Sequence, residues 1–436
     1  MPSFLRFVLV GLWWSVPLLG QQITPVERAR LAAAVWAEAR YNDPAWDRVR
    51  ADWDSGFADV LSAASGREPP LAYFRRLQRM VALLDDGQAM IVPPPAIAGR
   101  WGRPPVDLLS VERRPFLVDF ADNDELRVAQ PQRNTEIIAV QGIPAERWIR
   151  DSVLPLVPAA TDASRWVLAV AHMLDGEKGT ALHLLLRLPN GEQRGASVTR
   201  SVSLLDRWPL TPAPLQVDTL ADSIVWVRLS SFADPGVSRA FDRAFPDFAR
   251  VRGLILDLRE HDGAGGGRET GYRILGRLVS RPIVTSRWRT PQYRPAYRGQ
   301  DMPDSSGAWF SAPPDTIAPR SDLPTFTGPV AVLSSPRTAG SAEDLLIAYR
   351  NAGRGPIIGE PSAGSVGQVS ELRLHRDWRL RLTVTRDAFP DGTEIQGTGI
   401  APELPIDVKV SDLLAGKDAV LERARDYIVN RSTHAP

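Results

Sequence analysis

Apolar positions follow two different periods along this chain, and the change of period divides it. From residue 24 to 92 the spacing is helical. Pro25 opens a segment in which Leu31, Val35 and Trp36 fall on one face with charges opposite, and a loop at Asn42-Asp43-Pro44 ends it. Further helices are expected over Trp46–Ala63 and Pro70–Asp85. From 105 to 205 short alternating runs take over, with strands expected at Pro115–Phe120, Ile137–Val140, Ala181–Leu188 and Arg194–Ser201 and one helix near Ala163–Leu174.

Beyond Asp222 strands and helices alternate. Strands are expected at Ile224–Leu229, Gly253–Leu258, Val330–Leu333, Pro356–Ile358 and Leu380–Thr385, and helices at Arg239–Val251, Thr270–Leu278 and Ala342–Asn351. That alternation predicts an α/β core around a sheet. Arg287–Leu323, rich in Pro, Ser and Arg without periodicity, reads as a surface loop, and Ser411–Val429 reads as a closing helix.

Composition narrows the function classes. The 436 residues carry 52 basic and 51 acidic side chains, so nothing suggests a nucleic-acid partner. There is no cysteine, hence neither a disulfide framework nor a thiol nucleophile. No HExxH or Cys/His spacing predicts a metal, and no cofactor is expected. Asp262 to Gly267 suggests a dinucleotide loop, but Arg268 stands where its third glycine belongs. Residues 1–21 read as an export signal, with Arg6 before an apolar run from Phe7 to Leu19. The expected location is periplasmic or extracellular, with an uncleaved, signal-anchored form as the alternative.

The candidate chemistry lies in Ser334 to Gly367. A strand at Val330 to Leu333 runs into the small-residue turn Thr338-Ala339-Gly340-Ser341, which opens a helix carrying Glu343 and Asp344 in its first turn. A helix N-terminus offers unpaired N–H groups and a dipole that favour developing negative charge.

An ordered set of motifs then runs through most of the chain. It comprises Val35-Trp36 with Tyr41 to Pro44, Trp53-Asp54, and Val81 to Gln88. Ser231 to Asp234, Leu254 to Gly263, Thr338 to Glu343, Gly359 to Gly364 and Pro390 to Glu403 complete it. On these the sequence resembles the tail-specific (C-terminal processing) serine peptidase superfamily, in the branch similar to tricorn-core-like and interphotoreceptor retinoid-binding-protein-like members.

The resemblance implies an α/β multidomain chain. A signal peptide (1–21) precedes an N-terminal helical domain (22–95) and a PDZ-like β-rich domain (105–205), for which Ile137 to Pro144 supplies the strand, turn and helix start. A ClpP/crotonase-like α/β peptidase core (206–415) and a C-terminal helix and tail (416–436) follow. It also implies a peptide or protein substrate and a helix-opening serine nucleophile. A lysine, or a histidine backed by a carboxylate, would be the base, and backbone N–H groups the oxyanion hole.

Carried over residue by residue, the family's nucleophile falls on Gly340, beside Ser341. Its lysine falls on Ser365, and its DGH motif reads Asp86-Gly87-Gln88. The carboxylate near the C-terminal motif becomes Gln396, and Asn42 or Asp43 stands where the tricorn-like helical histidine belongs. Ser341 is therefore a nucleophile candidate or a helix N-cap, and Ser365 a site residue or a turn former. His261 is a candidate base or an exposed turn residue. Glu343 and Asp344 are explained by the helix dipole alone. Gly265, Gly266 and Ala342 are the expected oxyanion donors. Two functions are consistent with this pattern: an exported serine-type peptidase with degenerate catalytic positions, or an inactive relative binding peptides or a hydrophobic ligand in the same cleft.

Overall fold

The computed structural model describes residues 23–121, 131–293 and 309–433; the export-signal segment and His434 lie outside them. Thr24 caps helix α1 (Pro25–Asn42) through a reciprocal capping box with Glu27. Helix α2 (Trp53–Ala64) begins seven residues later than expected, because Trp46–Arg48 forms a separate 3-10 turn and Asp52 supplies the N-cap. With α3 (Pro70–Ala82) these helices bury Leu31, Val35, Phe74, Leu77 and Met80 in one cluster. Strand β1 (Met90–Val92) leaves that cluster to join a sheet formed much later in the chain.

Strands β2 (Val106–Val111), β3 (Arg114–Phe120), β4 (Thr135–Val140), β5 (Ala181–Arg187) and β6 (Gln193–Thr199) follow one another across an antiparallel sheet. Helix α4 (Asp162–Ala171) packs on it through Trp166, Ala169 and Val170.

The core sheet has the order β7 (Leu215–Leu220), β8 (Ile224–Leu229), β9 (Gly253–Asp257), then two strands after residue 329, then a last short strand. Only the β7–β8 pair is antiparallel. Helices α5 (Gly236–Ala244) and α6 (Arg268–Leu275) cover one face. The stretch read as a loop contains β10 (Arg287–Pro291) and β11 (Trp309–Ala312), paired antiparallel. Its Arg-Trp-Arg-Thr-Pro strand shows no alternation because neither face is fully buried.

The sheet continues through β12 (Val330–Ser334) and, after α7 (Ser341–Ala352), β13 (Ile357–Gly359). Strand β15 (Arg379–Thr383) pairs antiparallel with β1 on one side and with β14 (Val369–Arg373) on the other, tying the helical layer to the later part of the chain. Strand β16 (Arg386–Ala388) pairs with β10, and β17 (Leu404–Pro405) closes the core sheet. The expected closing helix is two, α8 (Val410–Leu414) and α9 (Ala419–Thr433). Gly416 breaks it at φ +67°, a conformation that favours glycine. Val420, Ala424 and Ile428 of α9 cover the sheet's second face against Ile255, Ala331 and Ile358.

Parallel neighbours β9 and β12 thus end side by side. The loops leaving their carboxyl ends, 258–267 and 335–340, meet where α/β sheets place ligand sites.

Candidate active site

The turn after β12 is fastened to the loop after β9 by hydrogen bonds. The Thr338 hydroxyl donates to Leu258 O (2.8 Å), the Ser335 hydroxyl to Arg259 O (2.7 Å) and the Ala339 amide to His261 O (3.0 Å). Gly340 then caps α7 at φ 56°, ψ −121°, a backbone state that glycine adopts freely and any other residue only under strain. A β-carbon there would meet Gly263 Cα at 3.1 Å and Gln88 Oε1 at 3.2 Å. Position 340 therefore faces Gly263 and Gln88, and it carries no side chain.

Ser341 aims elsewhere. It is 7% exposed, and its hydroxyl donates to Gly266 O at 2.9 Å. Its amide has no hydrogen-bond partner among the described residues, whereas Ala342, the other expected donor, gives its N–H to Ala339 O. The glycine abutting Gly340 is Gly263, rather than the expected Gly265 or Gly266; a β-carbon on Gly265 would strike Ala233 instead.

His261 is fully buried, correcting the exposed-turn alternative, and its ring lies 4.3 Å from that of Phe232. Burial pulls its pKa down to about 4, so the ring is neutral at pH 7. Its Nδ1 accepts the Gly263 amide (3.2 Å), which places the proton on Nε2, a buried atom without a partner. No hydrogen bond joins His261 to Ser341. The histidine instead engages the amide of the very glycine that faces position 340.

The opposite wall comes from the helical layer. Asp86 accepts from Thr383 N (2.9 Å), the Thr383 hydroxyl (2.8 Å) and Gln88 N (2.9 Å), fixing the turn that presents Gln88. The Gln88 amide donates to Gly367 O and the Thr383 hydroxyl, both at 3.3 Å. Asp43 nearby is pushed up to about 8, first by burial and then by the charge of Asp86. The side-chain oxygen of Gln396 is buried without a partner. Its carbonyl accepts from Arg48, whose guanidinium also pairs with Glu394 at 2.6 Å.

Glu343 does more than answer a helix dipole. Fully buried, it accepts the Ser362 hydroxyl (2.5 Å) and the amides of Gly364 (2.7 Å) and Ser365 (2.8 Å), holding the Gly359–Gly364 turn against α7. Ser365 is positioned by this clamp through its backbone. Asp344, also buried, accepts the Ser286 hydroxyl (3.1 Å) and faces Arg268 Nε at 3.6 Å. Arg268 also reaches the buried Asp387 at 3.8 Å. Sequence reasoning missed this pair of acids around one guanidinium, because partners at 268, 344 and 387 share no local spacing.

No group of three or more His, Cys, Asp or Glu side chains suited to a metal occurs among the described residues. No described helix is long and apolar enough to cross a membrane.

Comparison with known proteins agrees with the geometry. Residues 223–406 match the family model of Peptidase family S41. The chain is 26% identical over 281 residues to the carboxyl-terminal-processing peptidase 2, chloroplastic, of Arabidopsis thaliana, covering 62% of this chain and 49% of that one. It is 25% identical over 253 residues to the C-terminal processing peptidase, chloroplastic, of Tetradesmus obliquus, covering 55% and 49%. The matches thus span about half the length of these curated relatives. Among solved structures, mature CPAF complexed with lactacystin superposes with a TM-score of 0.71 at 13% identity, over 94% of this chain and 98% of that one, a likeness of fold.

Proposed function

The chain belongs to the tail-specific peptidase superfamily, a group of serine-type hydrolases, and from that premise we propose that it captures a peptide or protein segment in the Gly263–Gly340–Gln88 cleft and holds it without efficient hydrolysis. The observation that carries this reading is Gly340. It has the backbone of a nucleophile turn, its side-chain direction leads into the cleft, and no hydroxyl is there to attack. An amide at Gln88 replaces a base on the facing wall, and the Gly263 N–H is occupied by His261. What remains suits binding: the Ser341 amide is free to donate to a peptide carbonyl, and the Gln88 amide can donate or accept. The sequence of residues 1–21 supports export, and the PDZ-like reading of 105–205 supports delivery of peptide to the cleft.

Slow hydrolysis through Ser341 is the second reading, favoured by one fact. Ser341 is the hydroxyl adjacent in sequence to the vacant position, and it already contacts the glycine loop. One experiment separates the two. Purified residues 22–436 are incubated with a fluorescein-labelled unfolded protein, following anisotropy for capture and fragments by electrophoresis. Capture without fragments, weakened in Gln88→Ala, is expected. Fragments that vanish in Ser341→Ala overturn capture in favour of hydrolysis.

A further inference from the structure

A cavity of about 450 Å³ lies in the helical layer, outside the cleft, within the size range of small-ligand sites. Four aromatic side chains line it: Trp36 and Tyr41 from α1, Trp46 from the 3-10 turn, and Trp53 from α2. Two carboxylates, Asp52 and Asp54, share the wall with Arg40, Val49 and Ala51. Trp46 and Trp53 meet edge to face, with ring centres 5.9 Å apart and planes at 86°. Trp36 donates its indole N–H to Asp54 Oδ1 at 2.7 Å, so this carboxylate is held against an aromatic wall. Asp52 caps α2, and hydrogen bonds from Ser55 keep its pKa below the usual range.

One cation already uses this chemistry. The Arg40 guanidinium lies 4.6 Å from the centre of the Trp46 ring. Against that one positive charge stand two negative ones, leaving the lining with a net charge of −1. Aromatic faces beside ionised carboxylates select a cation that can shed water, as a guanidinium or ammonium does. The same segment reaches the cleft. Asp43, three residues before Trp46, faces Asp86 of the turn that presents Gln88, and Arg48, two residues after, contacts Gln396.

We propose that this cavity binds the basic side chain, arginine or lysine, of the polypeptide held in the cleft, so that the helical layer reads sequence. The polypeptide part rests on the capture reading above; the cation site does not. Tryptophan emission of the purified chain is therefore titrated with Nα-acetyl-arginine amide, Nα-acetyl-lysine amide and the neutral Nα-acetyl-norleucine amide. The two cations are expected to give saturable changes at least tenfold tighter than norleucine. Asp52→Asn/Asp54→Asn keeps both the helix cap and the acceptor for Trp36, so the fold is retained while the selectivity falls tenfold or more. Gln88→Ala, in the cleft, leaves this titration unchanged, so failure of the cage and failure of the cleft are read separately. Equal binding of norleucine, absence of saturation with either cation, or undiminished selectivity in the double variant overturns the proposal.

Discussion

A β-carbon on Gly340 would stand 3.2 Å from the Gln88 side-chain oxygen, although 252 residues separate them in sequence. The two positions therefore face each other across the chain, one without a side chain and the other carrying a neutral amide. Rebuilding both tests whether the rest of the site is intact. Gly340→Ser/Gln88→His is expected to cleave an unfolded protein and to label with a fluorophosphonate. Either single variant should fall roughly 100-fold or more below the pair, since positioned acid–base catalysis contributes about 10²–10⁴. The serine must accept φ 56°, at a cost of about 1–3 kcal/mol. An unlabelled double variant that still folds would show that the scaffold, too, has drifted from catalysis.

Glu343 predicts a pH dependence of stability. Burial raises its pKa from 4.5 to about 7, against the hydrogen bonds from Ser362 and the amides of Gly364 and Ser365. The folded state thus binds this proton more tightly than the unfolded chain. The contribution is full below pH 4.5 and is lost as pH rises through 7. His261 acts in the opposite sense, its pKa lowered from 6.5 to about 4 by burial. Its contribution is full above pH 6.5 and is lost as pH falls through 4. Melting temperature measured from pH 4 to 9 should fall on both sides, the alkaline limb flattening in Glu343→Gln and the acid limb in His261→Ala.

Much of this was legible in the sequence. The strand preceding Gly340, the helix following it and the run from Gly253 all carry a period that local burial imposes. The absence of a serine at 340 followed from motif register alone. The direction of Ser341 did not, because it depends on the φ of Gly340 and on a carbonyl 75 residues away. Glu343 and Asp344 showed only their favourable place at a helix start. Their burial depends on the 362–365 turn and on Ser286, which the fold brings to them. His261 looked like an exposed turn residue because Phe232, which covers it, belongs to another loop.

Ser341→Ala tests the structural role of that hydroxyl. It leaves the carbonyl of the exposed Gly266 without its protein donor, and unfolding by urea should show a loss of about 0.5–1.5 kcal/mol. Capture of unfolded protein should stay within twofold of the parent, because the side chain points away from the cleft. A large loss of capture with unchanged stability would place Ser341 in contact with the bound chain.

Arg268 opens α6 directly after the glycine loop, and it stands between Asp344 of the nucleophile-type helix and Asp387 of β16. Burial, reinforced by Asp387, raises Asp344 to about 7, although Arg268 opposes the shift. One guanidinium cannot fully compensate two buried carboxylates, and the side-chain oxygen Oδ2 of Asp387 has no hydrogen-bond partner among the described residues. Arg268→Met should therefore cost about 3 kcal/mol or more by stranding both acids. Asp387→Asn should do the reverse above pH 7. It keeps the acceptor for the Thr385 hydroxyl while removing the repulsion that raises Asp344. The part of the parent's loss through pH 7 that Asp387 imposes on Asp344 should then disappear, while the parts due to burial of Asp344 and to Glu343 remain, and thermal unfolding at pH 6 and 8.5 measures the difference. An Asp387→Asn variant losing as much as the parent between those two values would mean that burial alone, and not the charge of Asp387, raises Asp344.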